Sequence, residues 1–151
     1  MKRNGISHIF VLTFVISILV AINIHDVDAK MNPDQLRNML KPMAKTCIQK
    51  TGVDKDLVAA TKDGVYADDP KLKCYETCLM RMMKSMTKDN KLAVDSMIKQ
   101  IEMMVEDEWV EKMKTATITC AEKSSSTDPC EIGWEFVKCY DEFDHSLTFF
   151  P

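Results

Sequence analysis

Lys73-Cys74-Tyr75-Glu76-Thr77-Cys78-Leu79 is the stretch that decides the fold. Its two cysteines lie four positions apart, so on a helix they share one face, one turn apart. Their Cβ atoms would then be about 6 Å apart, whereas a disulfide needs roughly 4 Å. Each cysteine is therefore expected to reach a different partner elsewhere in the chain. A helix bolted at neighbouring points to two distant segments is the mechanical centre of a small protein.

The other cysteines are Cys47, Cys120, Cys130 and Cys139, which makes six in all. The chain opens with Met1-Lys2-Arg3, an apolar run from Ile9 to Ile24, and Val27-Asp28-Ala29. A basic start, an apolar middle and small or apolar residues at the −3 and −1 positions predict a secretory signal peptide over residues 1–29. An uncleaved anchor is the alternative, because the run is long for a signal. The mature domain would span residues 30–151. An even cysteine count behind a leader reads as three disulfides in an oxidising compartment. No CxxC pair occurs to support a metal site.

Removing the leader takes Lys2, Arg3, Asp26 and Asp28, so the net charge stays at −3. A mildly acidic chain without a Lys/Arg cluster is not a nucleic-acid binder. No second stretch approaches the ~20 apolar residues that span a bilayer, so no stable membrane insertion is expected of the mature chain.

Helix starts recur in one form. Asn32-Pro33, Asp69-Pro70 and Asp128-Pro129 each place a capping side chain before a first-turn proline. Gln35 and Glu131 stand where they would complete capping boxes. Apolar periodicity predicts six helices: about Pro33 to Lys50, Asp54 to Lys62, Asp69 through the methionines up to Met86, Val94 to Met104, one opening at Glu106-Asp107-Glu108 and running to Ala121, and Pro129 to Glu142. Thr115 to Thr119 alternates like a strand, yet its helical flanks predict helix. A tail from Asp144 to Pro151 ends in Leu147-Thr148-Phe149-Phe150-Pro151.

Catalysis finds little support. The mature chain has one histidine, His145, and every cysteine is expected to be oxidised. No G-x-S-x-G or H-E-x-x-H occurs, so neither an enzyme nor a cofactor or metal is predicted. Methionine is the unusual feature. Met80, Met82, Met83 and Met86 crowd the end of the third helix and spread over more than one side of it. Unbranched, polarisable thioethers suit surfaces that adapt to varied apolar shapes. Three disulfides, at about 2–4 kcal/mol each, let a domain tolerate a central cavity.

The cysteine gaps of 26, 3, 41, 9 and 8 residues resemble the insect odorant-binding protein family, in the six-cysteine form that includes pheromone-binding proteins. The lead-in Lys71-Leu72-Lys73-Cys74-Tyr75 and the short tail after Cys139 are similar too. The resemblance implies an all-α fold: a six-helix, three-disulfide bundle around an internal apolar ligand cavity. It implies the pairing Cys47–Cys78, Cys74–Cys130 and Cys120–Cys139, one of fifteen that six cysteines allow. It also implies a secreted carrier that moves small apolar odorants, pheromones or lipid-like molecules through extracellular fluid such as sensillar lymph. An olfactory receptor as partner and a homodimer as assembly fit that picture.

From their apolar faces, Met80, Met83, Met86, Met97, Ile101, Val110, Met113, Trp134, Val137 and Phe149 are expected to line the cavity. A tail segment as apolar as Leu147, Phe149 and Phe150 should dock at its mouth. Protonating His145 and its carboxylate neighbours is expected to loosen that tail near pH 5. This chain lacks the Pro-Lys-His-Tyr part of the tail in one subgroup of the family. A saposin-like protein acting on membrane lipids is the alternative from another class. The mid-chain Cys74-x3-Cys78 pair fits it badly.

Overall fold

A computed structural model of the chain describes residues 30–151; the leader and its expected cleavage site lie outside the described residues. Six helices form the frame: α1 Pro33–Thr51, α2 Lys55–Ala60, α3 Pro70–Met82, α4 Val94–Met104, α5 Asp107–Lys123 and α6 Pro129–Phe143. Short 3-10 turns, Thr61–Asp63 and His145–Leu147, extend α2 and follow α6. Among the described residues β pairing is confined to isolated bridges, Met31 with Val105 and Met86 with Leu92. The alternating Thr115 to Thr119 segment is helical inside α5, where Met113, Ala116, Thr117 and Cys120 supply one buried face.

The Asx-Pro starts work as caps. Asn32 and Gln35 exchange side-chain to backbone bonds at 3.0 Å, a complete capping box. Asp69 accepts from Lys71 and Leu72, and Asp128 from Cys130 and Glu131, each at 2.9 Å. The second expected box does not form. The Glu131 carboxylate turns instead to the Lys73 ammonium at 2.7 Å, which bolts α6 to α3 by charge.

α3 ends at Met82, four residues before the expected Met86. Lys84 takes a left-handed φ of +58°, its N–H donates to the Arg81 carbonyl at 3.1 Å, and Ser85 N–H donates to the Met80 carbonyl at 2.8 Å. These two bonds make a Schellman stop. The position usually holds glycine, so a lysine there carries no sign of the stop.

α3 is the hub. Leu72, Tyr75, Leu79 and Met80 are completely buried, and α1 and α6 pack on its two sides. The disulfides follow this arrangement: Cys78 bonds Cys47 on α1, Cys74 bonds Cys130 on α6, and Cys120 joins Cys139 between α5 and α6. The core divides into two lobes about α3. One lobe sets Ala44, Val53 and Val58 against Leu72, Tyr75 and Leu79. The other gathers Met80, Met97, Ile101, Met113, Phe136 and Tyr140 with Leu147 and Phe150 of the tail. The second lobe holds the cavity.

Candidate functional site

Between α1, the end of α3, α4, α5 and α6 lies a cavity of about 450 Å³. Its lining is dominated by thioethers and phenyl rings: Met39 and Met43 from α1, Met80, Met82 and Met83 from α3, Met97 and Met104 from α4, Met113 from α5, Phe136 and Tyr140 from α6, and Phe149 and Phe150 from the tail. That volume falls within the range of small-molecule pockets, and the lining has their chemistry. Burial pushes the Tyr140 hydroxyl well above the usual phenol range, so it stays a neutral donor.

Six of the residues expected from sequence meet in this lining: Met80, Met83, Met97, Ile101, Met113 and Phe149. The other four lie elsewhere, each for a local reason. Met86 follows the Schellman stop and is bridged to Leu92, buried but off the cavity. Val110 packs against the cavity-side core near the start of α5 without reaching the cavity. Val137 is fully buried between helices. Trp134 corrects the sequence reading most plainly. α6 buries Gly133, Phe136, Val137, Tyr140 and Asp141, and Trp134 falls one residue off that stripe. Its ring lies outside the cavity, with the Lys73 and Lys138 ammoniums 4.7 and 4.9 Å from its centroid. The α1 contribution was missed because Leu36, Met39, Leu40 and Met43 read as an ordinary core stripe.

The tail forms part of the wall. Phe149 and Phe150 stack with centroids 4.6 Å apart, and both present edges to Tyr140 at 5.8 and 6.2 Å. Four polar contacts hold the segment in place. Thr148 Oγ1 donates to the buried Asp141 carboxylate at 2.8 Å, and His145 Nδ1 lies 2.7 Å from the same oxygen. The Arg37 guanidinium donates to the Thr148 carbonyl, and the buried Tyr75 hydroxyl donates to the Pro151 carbonyl at 2.8 Å. His145 thus faces a carboxylate at the base of the tail, and this geometry gives no support to the acid loosening through His145 expected from sequence. Asp144 takes no part in such a switch, because Lys112 and Ser146 hold its carboxyl down at about 2.

A buried carboxyl stands next in sequence to Tyr75, which holds the end of the tail. Glu76 on α3 is 1% exposed, and its Oε2 has no hydrogen-bond partner. Burial pushes it up to about 8. The unfolded chain releases this proton near the ordinary carboxyl value of 4.5, so between about 4.5 and 8 the native state binds one proton more. Stability should therefore fall as pH rises through that window, by roughly 1.4 kcal/mol per unit at most, and level off above it. Urea melts across this range should show that slope, and Glu76→Gln should flatten it. Equal slopes in the two proteins would remove Glu76 as the cause.

Six helices stapled through a central α3, with an apolar cavity walled partly by the tail, define a small helical container for apolar molecules. The chain belongs to the PBP/GOBP family, whose sequence model matches residues 29–142. General odorant-binding protein 72 of Anopheles gambiae is 24% identical over 117 residues, covering 77% of this chain and 96% of that protein. Odorant binding protein 5 of Apis mellifera superposes with a TM-score of 0.72 at 29% identity, covering 81% of this chain and 99% of that one. Odorant binding protein 4 of the predator Chrysopa pallens gives a TM-score of 0.70 at 27% identity, covering 78% and 96% of the two chains. The cavity-lining tail residues Phe149 and Phe150 lie beyond the matched segment.

Proposed function

We infer that the protein is a non-enzymatic carrier that binds small hydrophobic molecules reversibly and moves them through extracellular fluid. The single observation that carries this reading is the cavity of about 450 Å³, lined by methionines and phenyl rings inside a fold of this family. Secretion behind the residue 1–29 leader, delivery of odorants or pheromones in sensillar lymph, hand-over to an olfactory receptor and homodimerisation extend the same reading. The saposin-like alternative drops out. The bolts Cys47–Cys78 and Cys74–Cys130 converge on one central helix, and the family match spans most of the mature chain.

The test is a titration of the mature chain with N-phenyl-1-naphthylamine, whose emission rises in an apolar site. Saturable binding at one site per chain is expected. An absence of saturable binding would overturn the carrier reading. The tail makes a sharper version of this test. Phe149→Ser should weaken probe binding about tenfold, since a phenyl contact worth roughly 1.5–3 kcal/mol when fully buried is only partly lost at this half-buried position. Deletion of residues 147–151 should weaken it at least as much. Unchanged affinity in both variants would show that the tail is no functional part of the wall.

A further inference from the structure

The cavity is apolar except at two places, and these differ in kind. Deep in it, Thr117 and Tyr140 carry hydroxyls that both donate to the Met113 carbonyl, at 2.8 and 3.4 Å. Their protons are committed. The other polar group lies where α3 stops and α4 begins, and consists of Lys84, the buried Ser85, Ser96 and Gln100. Gln100 Nε2 donates to Ser96 Oγ at 3.1 Å, and Ser96 Oγ donates to the Lys84 carbonyl at 3.3 Å. Ser96 and Gln100 are thus tied to the backbone of the Lys84 turn, and with Ser85 they make one polar rim.

Lys84 is out of place for its backbone. It holds φ at +58°, which side chains other than glycine and asparagine adopt rarely, in a turn that glycine would make more easily. The turn itself gives no reason for a lysine. Among the described residues Lys84 enters no ion pair. It is the one charged residue in the lining, and no carboxylate lines the cavity although the chain carries a net charge of −3.

Building on the carrier reading, we propose that the cavity takes amphiphiles with an anionic carboxylate head, held at the rim by the Lys84 ammonium beside Ser96 and Gln100. The hydrocarbon chain runs inward along the thioethers. The head group supplies the missing counter-charge and keeps contact with water, so it escapes the full cost of burying an ion. An alcohol or ester of the same length gains the apolar contacts but not the charge.

The experiment displaces N-phenyl-1-naphthylamine from the mature chain with dodecanoic acid, dodecan-1-ol and methyl dodecanoate. It is run at about pH 7, where the acid is ionised, and below the concentrations at which the competitors aggregate. The acid should displace the probe at about fivefold lower concentration than the other two, as suits a partly exposed ion pair. That preference should shrink at about 0.5 M salt. Lys84→Asn, which suits the left-handed backbone, should abolish the preference, read as the ratio of acid to alcohol displacement within the same variant. Lys84→Arg should keep it. Equal displacement by all three ligands in the unaltered protein, or a preference that survives Lys84→Asn, overturns this proposal and leaves the carrier reading standing. Failure of the probe to bind at all overturns both.

Discussion

Replacing Cys74 and Cys130 together with serine should lower stability by about 4 kcal/mol, the largest loss among the three bridges. The reason is loop length. Cys74–Cys130 spans 56 residues, Cys47–Cys78 spans 31 and Cys120–Cys139 spans 19. Each bridge restricts the unfolded chain, and the restriction grows with the logarithm of the span, to about 3 kcal/mol for the shortest. Urea unfolding of the three paired-serine variants should rank them in that order. The binding consequence should run the other way. Cys74 and Cys130 lie off the cavity lining, whereas Cys120 is fully buried in the lobe that surrounds it. Under conditions where each variant remains folded, probe affinity should therefore suffer more from loss of Cys120–Cys139. A Cys120/Cys139 variant that is the least stable of the three would refute the loop-length account.

The parts of this protein written in local chemistry were legible in the sequence. Cys74 and Cys78 could not reach each other across one helical turn, and in the fold they point to α6 and α1. Asn32, Asp69 and Asp128 announced three helix starts because an Asx side chain before proline can do little else at so low a cost. Glu131 shows where this logic ends. A residue at the third helical position can turn back to the cap or outward to a lysine, and only the approach of Lys73 decides between them. The cavity wall was only half legible for a related reason. Periodicity says which face of a helix is buried, not whether it meets another side chain or an empty space. Val137 and Met113 are both fully buried and carry the same pattern, but only Met113 borders the cavity. Trp134 misled because a large indole on an apolar helix reads as core, whereas two lysines cover its ring from outside. The lysine at the Schellman stop gave no signal at all, since its conformation is imposed by the bonds at the end of α3.

Gly133→Ala should destabilise the protein by about 2–3 kcal/mol, against what its position in a helix suggests. Inside a helix, alanine is ordinarily about 1 kcal/mol better than glycine. Here the methyl group has nowhere to go. A Cβ on Gly133 would lie 2.1 Å from Thr77 Oγ1 and 3.0 Å from the Thr77 Cα. The hydroxyl could rotate away only by giving up its 2.6 Å bond to the Pro129 carbonyl. The Cα cannot rotate at all, so α3 and α6 would have to separate. They are held against separation one turn away by Cys74–Cys130, and again by Lys73 on Glu131. Thr77→Ala should therefore rescue Gly133→Ala only in part, because it clears the oxygen and leaves the backbone contact. A double-mutant cycle should show the two substitutions coupled rather than additive. The same displacement would move Phe136 and Tyr140, which α6 presents to the cavity, so probe affinity should fall together with stability. If Gly133→Ala melted higher than the unaltered protein, helix propensity would outweigh the contact. The close approach of α3 to α6 would then not be what fixes the cavity-facing side of α6.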